Sequence, residues 1–180
     1  MKVYLDTGFF IDYDSARNPV AISLRVAGRR NRSLRRVQTD AATTMDKLRL
    51  HHSFTSTLAV IEYERAMFYS LHEMTRGVSS GQQNAEALSK FYAGLFLDIV
   101  CRQRHIRVIP LPANLIRAAS VATRASSLEL RDAIHLECAI GFDCDMIISP
   151  DEHFHRLDRR ITISGRPVRI VDTNVAVRML

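Results

Sequence analysis

Two short apolar runs, Lys2-Val-Tyr-Leu5 and Asp145-Met-Ile-Ile-Ser149, stand at opposite ends of a chain whose middle has mostly helical period. Runs this brief read as buried strands, and strands separated by helices pair in parallel with both faces of their sheet covered. The pattern predicts an α/β chain: a three-layer sandwich with a short, mostly parallel central sheet flanked by helices. Further strand candidates are the run Ile106–Leu111 and pieces at Ile161–Ile163 and Val168–Val171 around a turn at Gly165-Arg-Pro167, and a short apolar step at Ser53-Phe54 leads to Ser56. A brief helical turn should follow Asp6 and stop near Asn18-Pro19, because a residue before proline avoids the helical region. The stretch from Val20 to His52 is mostly helical in pattern, although Gly28 weakens it. Ser56 is a good N-cap for a helix over Thr57–Met74, with apolar positions at Leu58, Ile61, Ala66, Phe68 and Leu71. After a loop at Gly77–Gly81, helices are expected over Asn84–Arg104 and Ala113–Ala125. A capping box at Ser126-Ser-Leu-Glu129 should open another, ending near Gly141. The 180 residues are read as a single domain, with a basic helical segment at about 20–50 and a longer helical region at about 57–104.

Composition bears on location and partners. At 47% hydrophobic and 24% charged residues the chain is that of an ordinary globular protein. No apolar run approaches the ~20 residues a bilayer span needs, so no membrane is expected. Asp6 interrupts any secretory-signal pattern, and three widely spaced cysteines (Cys101, Cys138, Cys144) form no CxxC pair, so the expected location is cytoplasmic. The net charge of +6 is concentrated: residues 28–50 hold Arg29, Arg30, Arg32, Arg35, Arg36, Lys47 and Arg49 against Asp40 and Asp46. In a continuous helix, Arg25, Arg29, Arg32 and Arg36 would form one stripe. The guanidinium fork suits phosphate oxygens, so Arg29, Arg32 and Arg36 are candidate RNA-binding residues; a solvated helix face is the alternative.

Acidic residues stand where an α/β sheet collects function. Asp6 ends the first strand and Asp151 follows the strand at 145–149, at the carboxyl edge where ligands bind open parallel sheets. Asp132 lies near a helix start, where the dipole favours a carboxylate. Glu62 sits among apolar neighbours on its helix, although Glu64 shares that property with Ile61 and Phe68. Acids gathered in one site repel and raise each other's pKa unless a cation neutralises them. A hard divalent ion with oxygen ligands, Mg²⁺ or Mn²⁺, answers that need.

In these residues the chain resembles the PIN-domain ribonucleases, and within them the VapC-type toxins of toxin–antitoxin pairs. The resemblance rests on Leu-Asp6-Thr, Ser56-Thr-Leu-Ala-Val-Ile-Glu62, Asp132-Ala-Ile-His-Leu and Ile-Ile-Ser-Pro-Asp151-Glu-His-Phe, in that order, from residue 2 to about 157. It implies that Asp6, Glu62, Asp132 and Asp151 form an acidic quartet holding Mg²⁺ or Mn²⁺. It also implies that Ser149 helps order water beside the last acid. The implied activity is metal-assisted hydrolysis of phosphodiester bonds in RNA, leaving 5′-phosphate and 3′-hydroxyl ends. An antitoxin protein and a homodimer are the partners that family leads one to expect. The chain departs from the family at Gly8, where Asn is usual, and is longer around residues 20–50 and 72–90.

Other chemistries lack their devices. Asp6-Thr7-Gly8 and Asp172-Thr173-Asn174 mimic the tripeptides of aspartic proteases, but those enzymes need paired carboxylates in an all-β setting. Asp151, His153 and His155 have a spacing that suits zinc on a strand better than on the helical turn expected there. Cys138 and Cys144 read as core residues. No GxSxG, P-loop or GxGxxG occurs. The reading that competes with a nuclease is a PIN-like module that holds RNA or protein without cutting.

Overall fold

The structure, a computed structural model, describes residues 1–28, 33–125 and 128–180. Its chain order is β1 (Lys2–Leu5), α1 (Thr7–Asp14), α2 (Pro19–Gly28), α3 (Leu34–Lys47), a 3₁₀ turn (Leu48–Leu50), β2 (His52–Ser56), α4 (Thr57–Met74) and α5 (Gly81–Arg102). Then follow β3 (Ile106–Ile109), α6 (Ala113–Ala125), α7 (Leu130–Gly141), β4 (Met146–Ile148) and α8 (Glu152–His155). The chain ends with β5 (Thr162–Ile163), β6 (Arg166–Pro167), β7 (Arg169–Val171) and α9 (Thr173–Met179).

The central sheet has the order β3-β2-β1-β4-β7, and every pair in it is parallel. The inner strands are buried on both faces, and alternation assigns their side chains to two cores. Val3 and Leu5 join Met146 and Ile148 on the face covered by α1, α4 and α5, against Phe9, Tyr63 and Phe96. Tyr4 and Ile147 point the other way, with Phe54 and Ile170, into the layer of α6 and α7 that supplies Leu115, Ala133 and Leu136. Each large apolar side chain sealed in this way contributes roughly 1.5–3 kcal/mol relative to exposure. The expected α/β sandwich is therefore the observed one. Burial also accounts for Cys138 and Cys144, whose thiols it pushes up to about 11 and about 12, so both stay protonated core groups.

From central β1 the chain fills β2 and β3 on one side, then crosses back to place β4 on the other. Loops leaving the carboxyl ends of β1 and β4 therefore diverge, and that switch point is where an open parallel sheet forms its crevice. Asp6 and Ser149 occupy it.

Several boundaries differ from expectation for identifiable reasons. The Val20–His52 stretch is not one helix: Ser33 is extended (φ −64°, ψ 133°) and caps α3 by accepting from the Arg36 N–H, and the chain becomes β2 at His52. The proposed arginine stripe thus loses the continuous helix it required. Arg36 is exposed on α3, whereas Arg29 and Arg32 lie outside the described residues, as do Ser126 and Ser127 of the expected capping box. On α4 the buried face is Ala59, Tyr63, Met67 and Leu71, and Ile61 points to solvent. Ser56 stands at the N-cap of α4 in extended geometry but makes no capping bond with its side chain. Its hydroxyl accepts instead from Tyr4 at 3.0 Å. The tail splits: β5 and β6 form a separate antiparallel pair, and β7 joins the central sheet.

Asp172-Thr173 repeats the strand-to-helix turn of Asp6-Thr7. Both aspartates are extended N-caps (φ −75°, ψ 158° and φ −77°, ψ 160°), one opening α9 and the other α1. Asp172 is buried at the edge of the sheet, and the Thr173 hydroxyl donates to buried Asp12 at 3.4 Å. The second copy of the tripeptide therefore serves packing, in an all-parallel sheet that excludes the protease setting.

Candidate metal centre

At the end of β1 the backbone leaves the sheet and starts a helix within one residue, which presents the Asp6 carboxylate at the crevice. Both of its oxygens are held. Oδ1 accepts from the Thr7 N–H at 2.6 Å, and Oδ2 accepts from the Ser149 hydroxyl at 2.6 Å. Ser149 is fully buried just past β4, and its Oγ also accepts from the Asp151 N–H at 3.1 Å. Its carbonyl accepts from His155 Nε2 at 2.6 Å, which ties α8 to the same loop.

Glu62 reaches the same place from the first half of α4, where burial of Tyr63 and Ala59 in the core turns the preceding carboxylate toward β1. Its Oε2 accepts from the Thr7 hydroxyl at 2.5 Å and from His135 Nε2 at 2.9 Å. Glu64, the alternative left open by periodicity, lies instead beside Ile61 and Phe68 in a shallow groove between α4 and α5.

His135 is the residue that sequence reasoning missed. It lies one turn after Asp132 on α7, only 2% exposed, with Nε2 also 3.4 Å from Asp6 Oδ1. Its Nδ1 meets the Tyr4 hydroxyl at 2.8 Å. Ligand atoms of Asp6, Glu62 and His135 all lie within 4.8 Å of one another. The signal was present in Asp132-Ala-Ile-His135, since positions three apart share a helix face. On an apolar helix, however, a lone histidine reads first as a satisfied core group.

Asp132 and Asp151 form the second half of the acidic group. Asp132 is in the first turn of α7, Asp151 follows the β4 loop, and both line a hollow of about 350 Å³ with Leu128, Glu129, Arg131, Arg156 and Leu157. Burial, then the charges of Asp151 and Asp6, push the Asp132 carboxyl up to about 6. For Glu62, burial works upward, but the hydrogen bond and charge of His135 and the Thr7 hydroxyl outweigh it and hold the carboxyl below its ordinary range. For His135, burial works downward, and Asp6 followed by Glu62 overcomes it and raises the imidazole. The Asp6–Glu62 pair thus has an internal counter-charge in His135, whereas Asp132 is raised although Arg131 and His135 act against its burial and acidic neighbours.

This donor set fits a divalent cation. Carboxylate oxygens converge at a sheet's switch point, one of them sits at a cost that a cation would relieve, and Ser149 and Thr7 orient the others. Of the residues singled out from sequence, Asp6, Glu62 and Ser149 are brought into one hydrogen-bonded group. Asp132 and Asp151 share the adjoining hollow. Arg36 is on a helix that contributes nothing to either.

No family model matches the sequence, and no curated protein matches it either. Among solved structures, a chain of VapBC2 from Rickettsia felis, bound to a DNA fragment from their promoter, superposes with a TM-score of 0.50. The match has 10% identity and covers 96% of this chain and 98% of that one. The fold is PIN-like. A second neighbour is VapC20 of Mycobacterium tuberculosis, described as a sarcin–ricin loop cleaving toxin. It has 15% identity, a TM-score of 0.43, and coverage of 84% of this chain and 92% of that one. No helix among the described residues is long and apolar enough to cross a membrane.

Proposed function

We propose that this PIN-like protein is a Mg²⁺- or Mn²⁺-dependent endoribonuclease. The observation that supports the reading is the convergence of Asp6 and Glu62 with His135 at the switch point of the sheet, beside a hollow lined by Asp132 and Asp151. Asp6, Glu62, Asp132 and Asp151 hold the cation. When bound, the divalent ion supplies an activated water and stabilises charge on a scissile phosphate during in-line displacement. Ser149 fixes one Asp6 oxygen and is placed to orient water between Asp6 and Asp151. Thr7 holds Asp6 and Glu62 in register from one residue. Arg131 and exposed Arg156 line the hollow beside Asp132 and Asp151 and offer guanidinium groups to the polyanion's backbone.

The partner is proposed to be an antitoxin protein, by analogy with the VapBC2 neighbour. Exposed Ile61 and Tyr69 of α4 and Leu88 and Phe91 of α5 supply apolar surface for it, and a homodimer is a second use of the same kind of surface. The proposed location is the cytoplasm.

Titration of the metal-free protein with Mg²⁺ or Mn²⁺ tests the reading. The melting temperature should rise with the logarithm of cation concentration, following RT ln(1 + [L]/Kd), and cleavage of single-stranded RNA should require the same cation. Stabilisation without cleavage would favour the non-catalytic RNA- or protein-binding module. Absence of both would end the metal-centre reading.

The basic segment gives a separate expectation. Neutralising Arg29, Arg32 and Arg36 together should weaken binding of single-stranded RNA. The slope of log K against log salt should become shallower by about 0.7 for each phosphate that is no longer neutralised. An unchanged slope would assign those residues to solvent or to a protein interface.

A further inference from the structure

His135 is placed with unusual constraint for a core histidine. Its ring enters from α7, is almost fully buried, and touches polar groups at both nitrogens. On one side, Nδ1 lies 2.8 Å from the Tyr4 oxygen. The Tyr4 hydroxyl donates to Ser56 Oγ at 3.0 Å, so its oxygen is the acceptor and Nδ1 carries the proton. That leaves Nε2 as the atom aimed at the acids, 2.9 Å from Glu62 Oε2 and 3.4 Å from Asp6 Oδ1. Two donors at right angles around a small divalent ion, each about 2.1 Å from it, lie about 3.0 Å apart. Both separations are close to that edge length. The pattern of a ring whose far N–H is fixed by a hydrogen bond while its other nitrogen faces carboxylates is the usual setting of a ligating histidine.

We infer that His135 is a nitrogen ligand of the centre, joining Asp6 and Glu62 there, so that a first-row transition ion such as Mn²⁺ is selected over Mg²⁺. The inference rests on the metal-centre reading above. Its physical basis is ligand preference: Mg²⁺ takes oxygen donors in a near-ideal octahedron, whereas imidazole adds affinity for transition ions. On binding, the Nε2 proton now shared with Glu62 leaves to solvent and the nitrogen lone pair takes its place. Tyr4 acts through His135 as a positioning residue, fixing the tautomer and the ring plane; Ser56 holds Tyr4. This gives a use to the Ser56 hydroxyl, which the sequence suggested as a helix cap and which caps nothing.

Pulsed EPR of the Mn²⁺-loaded wild-type chain tests the inference directly. A nitrogen hyperfine coupling is expected and should vanish in His135→Gln. Equilibrium titration with Mn²⁺ and with Mg²⁺ gives the second readout. His135→Gln should weaken Mn²⁺ by about 10–100-fold while changing Mg²⁺ much less, and Tyr4→Phe, which keeps the ring, should weaken Mn²⁺ by about 10-fold. Should His135→Gln fail to fold, the wild-type spectrum and Tyr4→Phe decide. Mn²⁺ bound with no nitrogen coupling, a coupling that survives in His135→Gln, or an unchanged Mn²⁺/Mg²⁺ ratio in both variants would overturn the nitrogen ligand and leave an oxygen-only centre. A wild-type chain that binds neither ion would overturn the metal centre itself and this inference with it.

Discussion

Asp132→Asn is expected to stabilise the metal-free protein and to abolish its cleavage of RNA, two effects of opposite sign from one substitution. Burial and the charges of Asp151 and Asp6 lift the Asp132 carboxyl to about 6, from an ordinary value of 3.8. A folded-state pKa above the unfolded value means that the native chain binds the proton more tightly. Stability from this group is therefore full below about pH 4 and is lost as pH rises through about 6. The rise corresponds to at most about 3 kcal/mol, and to about 1–2 kcal/mol after allowance for the half-open setting. The amide stays neutral, so the melting temperature of Asp132→Asn should exceed that of wild type by about 3–6 °C at pH 8 in chelator. The difference should close toward pH 4. Comparing the two proteins at each pH cancels the opposite trend of Glu62, whose lowered carboxyl loses stability as pH falls. Added Mn²⁺ should narrow or reverse the difference by stabilising wild type more than the variant. Cleavage should fall by about 10²–10³-fold, the scale of losing one preorganised electrostatic element of a catalytic site. Equal melting temperatures at pH 8 would contradict the proposed repulsion, and wild-type cleavage in the variant would contradict the ligand assignment.

The second large effect concerns Gly8, where the resembled family carries Asn. A Cβ at that position would stand 2.2 Å from Pro150 Cγ and 2.7 Å from its Cδ. The proline ring is rigid and lies between Ser149 and Asp151, so any side chain at position 8 must push the loop that carries them. Gly8→Ala should therefore cost about 1–3 kcal/mol by overpacking. Cleavage should drop by about 10²-fold, because a displacement near 1 Å at the reacting centre is enough for such a loss. Pro150→Ala removes both crowded atoms, so Gly8→Ala/Pro150→Ala should recover most of the stability lost by Gly8→Ala. Full activity in Gly8→Ala, or no rescue in the double variant, would show that the close approach does not govern the site. The departure from the family at Gly8 is thus matched by Pro150 across the crevice: glycine is what lets the proline ring come so near the start of α1.

Helix α4 shows how far periodicity reached. Its limits at Thr57 and Met74 follow from sequence, yet its rotation does not, because Ile61 and Tyr63 compete for the core with similar apolar weight. Helix α5 resolves the competition by stacking Phe96 on Tyr63, ring centroids 4.5 Å apart, which leaves Ile61 outside and points Glu62 at His135. The choice of Glu62 over Glu64 is a consequence of that packing. Likewise, Arg25 to Arg36 form a stripe only if one helix runs through them, and the extended Ser33 breaks that condition.

What the sequence determined by itself was the class of fold and the order of its chemistry. Short apolar strands between helices can bury both faces only in a parallel sheet, and Asp6, Asp132 and Asp151 follow strand ends or open helices whatever the packing. What only the tertiary structure decided was convergence. Pairing β1 with β4, residues 143 apart, brings the Ser149 hydroxyl to within 2.6 Å of Asp6. Packing α7 against the sheet inserts His135 between Asp6 and Glu62. Local period fixes which face of an element is apolar, but only long-range packing fixes which polar groups meet where those faces end.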